Sequence, residues 1–133
     1  MEVICFLRET LLSSRAKSEK DDKRRTVNYE TITPSELQER RLRGDDVLLV
    51  DVREVEEFEM ARVEGSQLLP LSHFDEWAAS LDPEREMVFM CHHGIRSAHV
   101  CAMLARQGFA KLSNLAGGID RWSQEVDAGV PRY

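Results

Sequence analysis

Two patterns of apolar positions alternate along the chain: short continuous apolar runs, and segments with apolar residues at helical spacing. The runs VLLVDV at 47–52 and MVFM at 87–90 have strand length and predict strands that are covered on both faces. Three further short strands are predicted at 29–32, 67–71 and 111–115. The chain is therefore expected to contain five short strands.

Helices are predicted between these strands. Thr33 and Glu36 form a capping box with Pro34 at the first helical position, which starts a helix that runs to about Arg43 and stops at Gly44. The other predicted helices are a short acidic one over 54–61, one capped by Ser72 and Asp75 and reaching Leu81, one over 96–106, and a last one carrying Ile119, Trp122 and Val126. Every connection is too long for a hairpin. This predicts an α/β fold with a mainly parallel sheet and helices on both faces.

The first 28 residues differ in composition from the rest of the chain. Residues 13–28 are almost devoid of apolar side chains, so we expect a flexible charged linker there and a single structured domain over 29–133. Residues 1–12 carry apolar residues at helical spacing. They suit a short amphipathic helix that docks on the domain or on a second copy, giving a homodimer; a frayed end is the equal alternative.

Charge and cysteine content narrow the class of protein. The net charge is -6, with +2 on residues 1–28 and -8 on the remainder, an acidic body that argues against a nucleic-acid partner. The three cysteines are an odd number at no metal-like spacing, which favours free thiols in a reducing compartment. Charged residues interrupt the apolar start of the chain, so we expect neither a signal peptide nor a membrane span, and a cytoplasmic location.

The stretch MCHHGIRSA, residues 90–98, places Cys91 at the end of a buried strand and follows it with a polar bend. Ligands collect at the carboxyl ends of parallel strands, where loops lead into helix N-termini. Backbone N–H groups of residues 92–97 and the following helix would face the sulfur, and Gly94 permits such a bend. Arg96 adds a permanent charge and Ser97 a hydroxyl. This pattern predicts a cradle for a nucleophilic thiolate.

The cysteines and histidines of this region also have alternative interpretations. A cysteine at a strand end is more often a buried core residue, but the polar sequence after Cys91 favours the nucleophile. His92 and His93 match no closed zinc set, so no metal site is predicted and they are expected to line the pocket mouth. Cys101 falls on the apolar stripe of the next helix and is expected in the core, with a resolving-thiol role disfavoured; His99 is expected at the surface.

Three segments together carry a family resemblance. CHHGIRS, at 91–97, resembles the active-site loop of the rhodanese family of sulfurtransferases. LLVDVREVEEFE, at 48–59, is similar to that family's DVRE-type motif, and LAGGIDRW, at 115–122, resembles its closing GG-x-x-x-W segment. The resemblance covers about residues 30–128, in the family's order and spacing, and implies a five-stranded rhodanese-like fold.

The resemblance also implies a reaction. Cys91 would take a sulfane sulfur from thiosulfate or a persulfide and pass it to cyanide or a thiol, in a ping-pong mechanism without metal or organic cofactor. Arg96 would stabilise the anionic donor, and Asp51 and Arg53 would support the loop from the neighbouring strand end. The residues expected to hold the sulfur are His92, His93, Gly94, Ile95 and Ser97. A protein is an alternative sulfur acceptor.

The sequence departs from the family pattern at one position, and two other functions compete with sulfur transfer. ARVEGS, at 61–66, has Arg62 where the family customarily has histidine, which weakens inference about that wall of the pocket. Cysteine-dependent phosphatases and arsenate reductases have five residues between cysteine and arginine, whereas four separate Cys91 from Arg96. A non-catalytic binding module of the same fold is the third hypothesis. It is disfavoured because the cysteine, glycine, arginine and serine of the loop are all present.

Overall fold

A computed structural model describes residues 28–133 of the chain. The predictions for the amphipathic segment, for nearly all of the charged linker and for Cys5 lie outside the described residues. Within residues 28–133, no helix combines the length and the apolar character that crossing a membrane requires.

The described part of the chain alternates strands with helices. A 3₁₀ turn at Leu71–His73 precedes the third helix. In chain order the elements are β1 (Glu30–Ile32), α1 (Pro34–Leu42), β2 (Leu48–Asp51), α2 (Val55–Met60), β3 (Gln67–Leu68), α3 (Phe74–Ala78), β4 (Met87–Met90), α4 (Ile95–Arg106), β5 (Leu112–Leu115) and α5 (Gly118–Glu125).

The five strands form one sheet in the order β1-β5-β4-β2-β3, and all neighbouring strands are parallel. The predicted α/β fold with a five-stranded parallel sheet is confirmed. In the register of β2 and β4, Asp51 lies opposite Met90, so the last residues of these two strands lie side by side. The residues that follow these strands, Arg53 and Cys91 among them, therefore emerge at the same edge of the sheet.

The sheet has a separate apolar core on each face, because side chains of successive strand residues point to opposite sides. Val50 and Phe89 pack on one side with α3 and α4, through Trp77, Val100 and Leu104. On the other side Leu49 and Val88 pack with α1 and α5, through Leu37, Ile119 and Trp122. Both faces are thus covered, which explains why β2 and β4 appear in the sequence as continuous apolar runs.

The start of α1 is as predicted. The Thr33 hydroxyl accepts a hydrogen bond from the Glu36 backbone N–H at 3.1 Å, and the Glu36 carboxylate accepts one from the Thr33 N–H at 2.9 Å. This reciprocal pair satisfies two N–H groups that a helix terminus leaves without intrahelical partners.

Two element boundaries differ from the prediction. Ser72 does not cap α3, which begins at Phe74 and ends at Ala78; its hydroxyl instead donates to Glu54 Oε1 at 2.7 Å, within the 3₁₀ turn that precedes the helix. The strand expected over 67–71 is limited to Gln67–Leu68, and the chain enters the 3₁₀ turn at Leu71; the Leu69 and Leu71 N–H groups still donate to the Asp51 and Val52 carbonyls, at 2.9 Å and 3.0 Å.

Candidate active site

Cys91 follows β4 directly, and its sulfur lies inside the loop that leads to α4. The side chain is 1% exposed. The backbone N–H groups of Gly94 and Ser97 point at Sγ, with distances of 3.1 Å and 3.4 Å, and the Ser97 hydroxyl lies 3.4 Å from it. Successive N–H groups arranged around one point form a concave site suited to an anion. The loop can therefore stabilise negative charge on this sulfur.

Gly94 gives the loop its curvature. It precedes α4 with a φ of 101°, a conformation that glycine adopts without steric cost. A Cβ at this position would lie 3.3 Å from the carbonyl oxygen of Leu115, so the loop also passes close to the end of β5. The bend brings the free N–H groups at the start of α4 toward Cys91, where the helix dipole favours negative charge.

Asn114, a buried residue of β5, connects the two ends of this loop. Its Oδ1 accepts a hydrogen bond from the Ser97 hydroxyl at 2.5 Å, and its Nδ2 donates to the Gly94 carbonyl at 3.1 Å. Since a hydroxyl has one proton, the bond from Ser97 to Asn114 competes with one from Ser97 to Cys91. Sequence reasoning missed Asn114. The signal was present, because a fully buried strand rarely contains an amide without a partner.

The start of α5 holds the Cys91 loop from the other side. Backbone N–H groups of Ile119 and Asp120 donate to the carbonyls of Cys91 and His92 at 2.9 Å and 3.1 Å. Gly118 makes this approach feasible: a Cβ there would lie 2.3 Å from the Cys91 carbonyl oxygen. The glycine pair at the start of α5 is thus part of the active-site loop's support.

Replacing Gly118 with alanine is expected to destabilise the protein and to displace the Cys91 carbonyl. Gly44→Ala is a matched control, because Gly44 also has a positive φ but has no atom within 4 Å of an added Cβ. Backbone strain is common to both variants. Only Gly118→Ala adds the close contact. Its free energy of unfolding in urea should therefore fall by about 1–3 kcal/mol more than that of Gly44→Ala. Equal losses in the two variants would contradict this account of the contact.

The Asp51–Arg53 pair, predicted to support the loop, is fully buried and is therefore not an ordinary surface ion pair. Arg53 Nη2 lies 2.7 Å from Asp51 Oδ2 and donates to the Ala61 carbonyl at 2.5 Å, while Nη1 donates to the Tyr133 hydroxyl at 2.7 Å. Among the described residues, its hydrogen bonds thus join β2 to the end of α2 and to Tyr133, not to residues 92–97.

Arg96, predicted to face the sulfur donor, is held by Glu57 of α2. The guanidinium donates two parallel hydrogen bonds to the Glu57 carboxylate, at 2.8 Å and 2.9 Å. This contact lowers the pKa of Glu57 to about 2. The Tyr133 hydroxyl donates to the same carboxylate at 2.9 Å and accepts from Arg53, so Tyr133 links the two ion pairs. Neither Glu57 nor Tyr133 was identified from the sequence, where Glu57 is one of several glutamates in an acidic helix.

The side chains of His92 and His93, two residues of the loop, form a stack of rings with Tyr133. The His92 ring is 3.9 Å from that of His93 and 4.0 Å from that of Tyr133, with nearly parallel planes. Burial, and then the charge of His93, lower the pKa of His92. His93 Nε2 also lies 3.9 Å from Asp120, whose carboxylate accepts from Arg132. One ligand atom from each of His92, His93 and Asp120 lies within 4.8 Å of the other two, which is fewer than the four ligands of a closed structural zinc site.

A profile of the rhodanese-like domain matches residues 33–125. The chain belongs to the rhodanese-like domain family. The match spans α1 to α5 and therefore includes strands β2 to β5 and the Cys91 loop.

Several curated relatives have similar sequences. Rhodanese-like/PpiC domain-containing protein 12, chloroplastic, of Arabidopsis thaliana is 39% identical over 93 residues, 67% of this chain and 31% of the relative. Probable adenylyltransferase/sulfurtransferase MoeZ of Mycobacterium tuberculosis is 33% identical, over 85% of this chain and 29% of the relative. The chain thus spans about a third of the length of these two proteins. Thiosulfate sulfurtransferase GlpE of Actinobacillus succinogenes is 29% identical, over 77% of this chain and 89% of the relative.

Solved structures agree with the family assignment. The rhodanese-like domain protein from Staphylococcus aureus has a TM-score of 0.67 and 29% identity, and the match covers 78% of this chain and 98% of that one. Several relatives at about 30% identity are named sulfurtransferases.

Two other predicted positions lie at the surface of this rhodanese-like domain. Ile95 is 79% exposed at the start of α4, so it can contact a ligand only at the rim of the loop. Arg62, which replaces the family's customary histidine, is exposed, and its guanidinium lies 5.1 Å from the centre of the Phe58 ring.

Cys101 is completely buried in the core between α4 and the sheet, as predicted, and His99 is exposed. The Cys101 thiol donates to the Ser113 carbonyl at 3.6 Å, and burial raises the pKa of this thiol to about 12. We therefore expect Cys101 to resist iodoacetamide at pH 8 in the folded protein and to react once urea unfolds it. Peptide mass mapping measures this. Alkylation of Cys101 at the same rate in both states would contradict its placement.

Proposed function

We propose that the chain is a sulfurtransferase that carries a sulfane sulfur on Cys91, from thiosulfate or a persulfide to cyanide or a thiol. One observation carries the proposal: two backbone N–H groups point at Cys91 Sγ at the carboxyl end of a central strand, and the Ser97 hydroxyl lies 3.4 Å from it. The name of the relative GlpE, a thiosulfate sulfurtransferase, supports the choice of donor.

In the first step the Cys91 thiolate attacks the outer sulfur of the donor. The new S–S bond to Cys91 forms as the donor's own S–S bond breaks, and the electron pair of that bond leaves with sulfite or with the thiolate of a spent persulfide. The enzyme then holds the sulfur as a Cys91 persulfide. The N–H groups of Gly94 and Ser97, which point at Cys91 Sγ, stabilise negative charge on that sulfur before the attack, as the donors of an oxyanion hole do for oxygen.

In the second step the acceptor attacks the outer sulfur of the Cys91 persulfide. Cyanide gives thiocyanate and a thiol gives a new persulfide, while the electron pair of the broken S–S bond returns to Cys91 as thiolate. The two half-reactions share one covalent intermediate, so the kinetics should be ping-pong. The hydrogen bonds from α5 to the Cys91 and His92 carbonyls keep the loop in place through both steps.

Intact mass spectrometry tests this proposal. The purified protein is incubated briefly with thiosulfate, then with cyanide, with Cys91→Ser treated in parallel. The expected result is a gain of about 32 Da, one sulfur atom, that cyanide removes and that the variant lacks. Low-molecular-weight persulfides serve as second donors. A folded, reduced protein that gains no sulfur from any of these donors would overturn the proposal, and rapid hydrolysis of an aryl phosphate would favour the phosphatase-like alternative.

A further inference from the structure

Three arginines near the Cys91 loop are each paired with a carboxylate. Arg96 is paired with Glu57, and Arg53 with Asp51. Arg132, beside the stacked histidines, is paired with Asp120 at 2.8 Å. These pairs carry no net charge between them. The loop therefore presents hydrogen-bond donors to the sulfur without presenting an uncompensated cation to the rest of a donor molecule.

Glu57 is the carboxylate that neutralises the arginine of the loop itself. Its two oxygens accept two hydrogen bonds from Arg96, one from Tyr133 and one from the backbone N–H of Glu54. Four donors occupy its acceptor positions, so the carboxylate is held firmly. Because Arg96 holds the pKa of Glu57 at about 2, this carboxylate stays ionised at neutral pH.

The surroundings of the pair add further negative charge. Glu56 and Glu59 are exposed on the same short helix α2, and within residues 28–133 neither forms an ion pair. The pKa of His92, the residue after the nucleophile, is lowered chiefly by burial, which disfavours a positive charge there. A small dianion that approaches Cys91 thus meets neutralised arginines and an acidic helix.

We propose that Glu57 sets the charge preference of the site: by neutralising Arg96, it makes Cys91 accept sulfur more readily from a persulfide of low negative charge than from dianionic thiosulfate. The inference rests on the proposed sulfur transfer and names the donor class of that same site. Glu57 is a specificity-determining residue that acts through Arg96, not a catalytic residue.

The test compares donors that differ in charge but share the same reacting group. These are the persulfide of cysteamine, which carries an ammonium group, and the persulfide of 3-mercaptopropionic acid, which carries a carboxylate; thiosulfate is the third donor. The formation rate of the Cys91 persulfide is followed by intact mass in wild type, Glu57→Gln and Glu59→Gln. Glu59→Gln is the matched control, since it removes the same charge from the same helix at an exposed position.

The wild type is expected to use the cysteamine persulfide on the order of tenfold faster than the carboxylate analogue, a ratio that falls as salt is raised. Glu57→Gln should reduce this ratio about three- to tenfold and accelerate the reaction with thiosulfate, whereas Glu59→Gln should change it less than about twofold. Wild type without a charge preference, or an equal change in both variants, would overturn this inference alone. Wild type that gains no sulfur from any donor would overturn the proposed function and this inference with it.

Discussion

Replacing Cys91 with serine is expected to lower the rate of sulfur transfer by at least about 10³-fold, because the loss of a covalent nucleophile removes the intermediate on which both half-reactions depend. Serine fits the space of the buried thiol, and its hydroxyl oxygen can accept hydrogen bonds from the same N–H groups, those of Gly94 and Ser97. Thiocyanate formation from thiosulfate and cyanide measures the rate, and a thermal unfolding curve close to that of wild type shows that the fold is retained.

Cys101→Ala is the control for this result. Cys101 is equally buried and lies ten positions further along the chain, but it packs within the core and its thiol contacts the Ser113 carbonyl. We expect this variant to lose some stability, as a deleted core group does, and to keep most of its activity. Loss of transfer in Cys101→Ala with stability preserved would assign that thiol a role in the reaction.

The order of strands and helices was predictable because its causes are local. VLLVDV and MVFM are each buried on both faces, so their apolar runs appear directly in the sequence. Thr33 and Glu36 form their capping box within one turn of helix. The end of β3 and the start of α3 were predicted wrongly, since the 3₁₀ turn at Leu71–His73 takes both the last residue of the predicted strand and the predicted cap residue Ser72.

The hydrogen-bond donors around the Cys91 sulfur come from residues close to it in sequence, whereas the residues that hold Arg96 in place are distant in sequence. The donors from Gly94 and Ser97 lie within six residues of the sulfur, so the stretch CHHGIRS suffices to suggest them. Glu57 reaches Arg96 from 39 positions away along the chain, and Tyr133 reaches Glu57 from 76 positions away, so no spacing in the sequence relates them. The direction of the Arg96 side chain, toward Glu57, could therefore be found only from the structure.

The burial of Asp51 and Arg53 is a second property that the sequence alone did not reveal. A carboxylate and a guanidinium two residues apart after a strand are usually an exposed pair of little energetic value. Here the end of α2 covers the pair, and the Ala61 carbonyl accepts a hydrogen bond from Arg53. Because of this tertiary arrangement, disrupting the ion pair should lower the free energy of unfolding far more than disrupting an exposed pair would.

Arg53→Leu is therefore expected to lower the free energy of unfolding by about 3–5 kcal/mol, because it leaves the buried carboxylate of Asp51 without its cation. The substitution also removes the hydrogen bonds to the Ala61 carbonyl and the Tyr133 hydroxyl. Equilibrium unfolding in urea measures the loss. Arg43→Leu is the control, since Arg43 pairs with Asp45 at the surface and should change stability little.

A double variant, Asp51→Val with Arg53→Leu, separates the two causes of this loss. Replacing both members of a buried ion pair with apolar residues is often nearly neutral, because no charge is left unpaired. If the double variant recovers most of the lost stability, the uncompensated Asp51 carboxylate accounts for the cost. If it does not, the contacts from Arg53 to Ala61 and Tyr133 account for it. A single variant no less stable than Arg43→Leu would contradict both explanations, since each requires that Arg53 makes stabilising contacts that Arg43 lacks.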